Sequence, residues 1–63
     1  MNRIKQLRNK INMTVTELSE KANVAIGYIS RIENDNDGNS NPSKNVMERI
    51  ANALNSTVPK IFY

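Results

Sequence analysis

The chain contains no cysteine and no histidine. The first absence rules out disulfides and thiolate metal sites. The second removes the commonest general base and metal ligand. With neither present, no nucleophile–base pair or metal cluster is visible, so an enzyme is poorly supported and no cofactor is implied. No apolar run approaches the ~20 residues needed to span a bilayer. No charged stretch followed by an apolar segment marks a secretory signal. A soluble, cytoplasmic protein without a membrane partner is therefore expected. Internal repeats, linkers and β-type alternation are missing too. What is left is one small domain over residues 1–63. A chain this short buries only roughly 60% of its unfolded surface, so its stability margin should be thin. The net charge is +3 and the pI about 9.6. That favours an anionic partner only weakly, because the basic residues are scattered.

The informative stretch runs from Thr14 to Glu33, TVTELSEKANVAIGYISRIE. Thr14 and Glu17 have the spacing of a capping box, in which each side chain satisfies a free backbone N–H of the other residue. Val15, Leu18 and Ala22 follow at helical spacing. Asn23 tolerates the left-handed conformation that ends many helices. Val24 reads as a buried turn residue, and a second helix is expected from about Ala25 to Glu33. Its apolar positions are Ala25, Ile29 and Ile32. At about 100° per residue, Ile26, Gly27, Ser30, Arg31 and Asn34 share the opposite side, with Tyr28 at the edge. A short helix held by its back with its front exposed, joined by a tight turn to a preceding helix, is a helix-turn-helix. The second helix of that unit enters the DNA major groove.

The flanking text extends the same pattern. Met1 to Lys10 reads as a first helix with Ile4, Leu7 and Ile11 on one side. Asn12 suits a tight link, and Met13 a hydrophobic staple ahead of the Thr14 cap. Pro42 forces Asn41 into an extended conformation, and Ser43 is a good N-cap. Val46, Met47, Ile50, Ala51 and Leu54 form an apolar stripe ended by Asn55. Thr57 precedes a last short helix with Pro59 in its first turn. The expected core is Ile4, Leu7, Met13, Leu18, Val24, Ile29, Ile32, Val46, Ile50, Leu54, Ile61 and Phe62. The segment Asn34 to Asn41 is polar. Aligning Gly38 with the invariant glycine of an EF-hand puts Glu33, Asp35 and Asp37 at the first three ligand positions. The twelfth position, which needs a bidentate Glu, is then Lys44. A solvated loop of ordinary turn formers is the better reading, and no metal is expected.

These segments together resemble the phage-repressor and Cro-like helix-turn-helix regulators, also called Xre-like. The matching text is Ile4-x-x-Leu7-Arg8, Met13-Thr14-x-x-Glu17-Leu18, Val24-x-x-x-Tyr28-Ile29-Ser30-Arg31-Ile32-Glu33 and Asn41-Pro42-Ser43. It continues through Ala51-x-Ala53-Leu54 to Ile61-Phe62. The resemblance implies an all-α, lambda-repressor-like DNA-binding domain of five short helices, with the helix-turn-helix at helices 2 and 3. It also implies an ion pair between Arg8 and Glu33. Helical spacing agrees, since it puts both residues beside the apolar face, where a half-buried charge needs a partner. The chain departs from the family at four places. Val15 stands where Gln is frequent, Ser19 where Ala is usual, and Ala25-Ile26-Gly27 where polar residues usually open the recognition helix. The loop before Asn41 is about three residues longer than usual. The first and third of these bear on which bases are read.

The expected function is a sequence-specific DNA-binding transcriptional regulator, a repressor by resemblance. It would bind double-stranded DNA as a homodimer on a pseudo-palindromic operator, with residues 25–33 in the major groove. Candidate base contacts are Ile26, Gly27, Ser30 and Arg31. Arg31 can donate twice to guanine O6 and N7, with phosphate or solvent as its alternative. Ile26 can touch a thymine methyl, or pack against the turn. Gly27 lets the backbone come close. Candidate phosphate contacts are Thr14, Thr16, Lys21, Tyr28, Ser43 and Lys44, several of them at helix N-termini with free N–H groups. The alternative is a protein-interaction module on the same fold, such as an antirepressor or antitoxin-like partner. The apolar opening of the recognition helix and the Asp-bearing loop speak for it.

Overall fold

A computed structural model describes residues 2–34 and 42–62. Those residues form five α-helices: α1 (Ile4–Lys10), α2 (Val15–Ala22), α3 (Ile26–Glu33), α4 (Lys44–Ala53) and α5 (Val58–Phe62). Among the described residues there is no strand. Helix α2 packs on α3 and α4, and α4 packs on α5. Residues 35–41, which carry most of the candidate calcium loop, lie outside the described residues. Glu33, the first ligand of the calcium alignment, is engaged by Arg8 instead.

The helix ends follow from local chemistry. Thr14 Oγ1 accepts from the Glu17 N–H at 3.1 Å, and Glu17 Oε1 accepts from the Thr14 N–H at 3.0 Å. This reciprocal cap starts α2. Ser43 Oγ accepts from the Val46 N–H at 3.2 Å and starts α4. Asn12, Asn23 and Asn55 have φ of 57°, 55° and 54°, the left-handed region that Asn visits more readily than other side-chain-bearing residues. Each stands where the chain leaves a helix.

The core is built from Ile4, Leu18, Ile29, Ile32, Ile50 and Ile61, all fully buried, with Ala22, Val24, Ala51, Ala53 and Leu54 around them. Each buried Ile or Leu contributes roughly 1.5–3 kcal/mol relative to exposure. Leu7, Met13, Val15, Tyr28, Val46, Val58 and Phe62 pack on its rim. Two positions read onto apolar helix faces are corrected. Ile11 is 48% exposed, because α1 stops at Lys10 and the chain turns away through Asn12. Ala25 is exposed, because it is the N-cap of α3 with ψ of 135°, outside the helix whose spacing placed it inward. Ala53, outside the expected stripe, is buried.

Helix α3 is fastened at its C-terminal end by two residues from the start of the chain. Arg8 Nη2 lies 2.9 Å from Glu33 Oε1, with side chains only 14% and 5% exposed. Arg8 Nη1 also donates to the Met13 carbonyl at 2.9 Å. Asn2 Nδ2 donates to the Ile32 carbonyl at 2.9 Å, while Asn2 Oδ1 accepts from the Ile4 N–H at 3.1 Å. One Asn thus caps α1 and ties it to the end of α3. The Arg3 N–H donates to the Ile61 carbonyl at 3.0 Å, which adds α5 to the same junction.

Removing Arg8 strands the Glu33 carboxylate in a site it cannot leave. Arg8→Ala should lower stability by about 3 kcal/mol, the low end for breaking a buried pair, since the site is not fully dry. Lys5→Ala, at an exposed position of the same helix, should stay within about 0.5 kcal/mol. Thermal midpoints of the two variants measure the contrast, and equal midpoints would remove the pair from the list of stabilising contacts.

Candidate nucleic-acid interface

The turn between α2 and α3 is clasped in both directions. Ser19 Oγ donates to the Val24 carbonyl at 2.6 Å, and the Val24 N–H donates to the Ser19 carbonyl at 3.1 Å. Val24 is buried beneath the turn. Ser19 therefore does more than fill the place of a small apolar residue. Its hydroxyl satisfies a carbonyl that the turn would otherwise leave without a partner, a bond worth about 1 kcal/mol. The clasp fixes how α3 leaves α2.

With Ile29 and Ile32 buried, the opposite side of α3 faces outward. Ile26, Gly27, Ser30, Arg31 and Asn34 are all exposed. Tyr28 is half-buried and packs on the core rim. Asn34 Nδ2 donates to the Ser30 carbonyl at 2.8 Å, which closes the last turn. No acidic residue stands in the first turn of α3. The exposed arc therefore carries one cation, one hydroxyl, one amide and an apolar corner, and no negative charge that would repel a polyanion.

The remaining predicted contacts fall into two groups. Thr14 and Thr16 are exposed at the start of α2, and Ser43 and Lys44 at the start of α4. Ser43 uses an oxygen lone pair to cap its helix, which leaves its O–H free to donate outward, whereas the Thr14 hydroxyl is shared with the Glu17 carboxylate. The first N–H groups of both helices also have no partner within the helix. Lys21 stands apart, in the last turn of α2. Five residues separate it from Thr16, about 7.5 Å along the helix axis. It lines a shallow cleft with Arg49, Asn52 and Asn55. Arg49 was not among the predicted contacts. Its Nη1 donates to the Asn23 carbonyl at 3.3 Å, so it braces the turn from α4. Its position on the exposed side of α4, three residues after the half-buried Val46, was the only available signal.

This geometry defines an all-helical protein with a helix-turn-helix at α2 and α3. The comparisons with known proteins place it further. The helix-turn-helix family model matches residues 4–61, and the chain belongs to that family. It is 39% identical over 59 residues to the immunity repressor protein of Bacillus phage phi105, covering 94% of this chain and 39% of that protein. The chain thus spans well under half the length of that relative. Two solved structures share the fold. One is a crystal structure of SinR, described as the master regulator for biofilm formation, in complex with DNA. It matches with a TM-score of 0.80 and 38% identity over 90% of this chain and 87% of that one. The other is the SinR–SinI protein complex, with a TM-score of 0.79 and 39% identity over 89% of this chain and 52% of that one. Among the described residues, no helix is long and apolar enough to cross a membrane.

The Thr14–Glu17 cap carries a pH dependence. The Thr14 backbone N–H, then the Thr14 hydroxyl, hold the Glu17 carboxyl below its ordinary value. Lys21 adds to this, and slight desolvation opposes it. A lowered folded-state value means that the contribution is complete above the ordinary carboxylate range and is lost as pH falls below that range through the folded-state value. The thermal midpoint should therefore drop between about pH 5 and pH 3. Glu17→Gln, which keeps an acceptor without a titrating group, should flatten part of that drop. Identical slopes for the two proteins would show that Glu17 does not contribute.

Proposed function

We propose that this protein is a sequence-specific DNA-binding transcriptional regulator that acts as a repressor, with α3 as its recognition helix in the major groove. The observation that carries the reading is the division of α3. Its back is sealed by Ile29 and Ile32, while Ile26, Gly27, Ser30 and Arg31 stand together on its open side. A helix of 8 residues with one face open has the form that the major groove admits. The family, a phage immunity repressor as a relative, and a DNA complex of a protein with the same fold all support it.

In this reading the residues divide by task. Ile26, Gly27, Ser30 and Arg31 face base edges. Arg31, the one cation of the arc, suits guanine O6 and N7. Thr14, Thr16, Ser43 and Lys44 hold phosphates through free N–H groups, hydroxyls and one ammonium. Tyr28 and Lys21 are outlying members of that set. A single short helix with one strong reader gives limited affinity, so two copies on a pseudo-palindrome supply the rest. The exposed Pro59 region at the start of α5 is the surface we assign to the partner copy. The setting is the cytoplasm, where the duplex is. Should DNA binding be absent, the protein-interaction reading of the same face takes its place.

Arg31→Ala should lower affinity for the preferred site by ~1–3 kcal/mol and relax the preference at one guanine, leaving random-duplex binding nearly intact. Lys44→Ala should weaken all sequences alike and reduce the salt slope by about one unit. Binding titrations at several salt concentrations measure both. If Arg31→Ala lowers specific and random affinity equally, Arg31 grips phosphate only.

A footprint at saturation should cover two half-sites with centres about 10 bp apart, or a multiple of it. A single protected half-site would remove the dimer.

A further inference from the structure

Helix α3 is apolar where its open side begins. Ile26 keeps 45% of its surface exposed, and Ala25 and Gly27 beside it are exposed too. None of the three offers a side-chain donor or acceptor. Gly27 has no reason to be glycine in the fold. Its backbone lies within regular helix, and a Cβ built there would meet no atom within 4 Å. Glycine weakens a helix relative to alanine. The missing Cβ leaves open room in front of the first turn of the helix for something to approach.

We infer that the Ile26–Gly27 corner reads the C5-methyl group of a thymine, with Gly27 allowing the approach that lets Ile26 cover it. The inference rests on the DNA-binding reading above and deepens it by naming the base class at one position. Thymine is the base that carries a methyl group on its major-groove edge. An aliphatic side chain gains from covering that methyl group. Placed against an amino or carbonyl edge instead, it leaves that polar group without a partner. Arg31 lies about 7.5 Å further along the helix axis, on the order of two base-pair steps of 3.4 Å, so it addresses a different pair. Each half-site should then contain a methyl-dependent thymine about two base-pair steps from the guanine that Arg31 prefers.

The test starts from the site selected out of a randomised duplex library. Each thymine is replaced in turn by deoxyuridine, which keeps the pairing and removes only the methyl group. At one position per half-site, affinity should fall about fourfold, the worth of one buried methyl. Ile26→Ala, at an exposed helical position, should bind thymine and uridine there equally while keeping the guanine preference. Gly27→Ala should melt at a higher temperature and bind the selected site more weakly. The inference is overturned if no uridine matters, if uridine matters equally in Ile26→Ala, or if Gly27→Ala binds as tightly as the parent. A site with guanine dependence and no methyl dependence overturns this inference alone. A library that yields no preferred site overturns the DNA-binding reading, and this inference with it.

Discussion

The contact between Arg8 and Glu33 is the constraint on which the rest of the molecule depends. Helix α3 is a poor helix by composition. Ile26, Gly27, Tyr28, Ile29, Ser30 and Ile32 are all middling or weak helix formers. Its N-cap makes no side-chain hydrogen bond, and no acid complements its first turn. Isolated helices of this length are marginal in water even with good sequences. What holds α3 is therefore tertiary: two buried isoleucines beneath it, the Ser19–Val24 clasp at its entry, and the Arg8 and Asn2 side chains at its exit. A buried ion pair is weak support for stability as such, because desolvation offsets much of the attraction. Its value here is directional. The guanidinium fork meets the carboxylate and the Met13 carbonyl at once, and that geometry admits one placement of the helix end.

Much of this was legible in the sequence, for physical reasons. The capping box of α2 is a local bond pattern three residues long, so it shows in the text. The three left-handed asparagines announce themselves because few other side chains take that conformation cheaply. Inward isoleucines at helical spacing give the face of α3. The expectation fails where periodicity is carried past a helix end. Ile11 and Ala25 fit the wheel but stand outside the helices it assumes, and both are exposed. Ala53 was missed for the converse reason. It lies at the edge of the α4 stripe and is covered by its surroundings.

The contacts that fasten α3 were visible to different degrees. Arg8 and Glu33 are separated by 25 residues, yet each betrays itself as a charge beside an apolar face. Asn2 gives no such sign, because nothing in an N-terminal Asn announces a carbonyl 30 residues away. Ser19 could only be noted as an unusual residue at its position, and the clasp it forms with Val24 needs the turn to be built before it exists. In the candidate interface, the exposed arc of α3 follows from spacing alone. The separation of Lys21 from Thr14 and Thr16 also follows from spacing, since it lies in the last turn of α2. Its place beside Arg49 and Asn52 depends on how α2 and α4 pack.

The distribution of rigidity bears on how such a surface is used. Every device that fixes α3 acts on its back, its entry or its exit, and none acts through the side chains of Ile26, Gly27 or Arg31. The front can therefore change identity without disturbing the fold, provided the helix still forms. Gly27 marks the limit of that freedom. It occupies a position where almost any residue would fit and where alanine would favour the helix, in a chain too small to hold much stability in reserve. A glycine at such a position gives up helix propensity and leaves clearance at the surface, the balance that a stability–function trade-off would produce at a binding face.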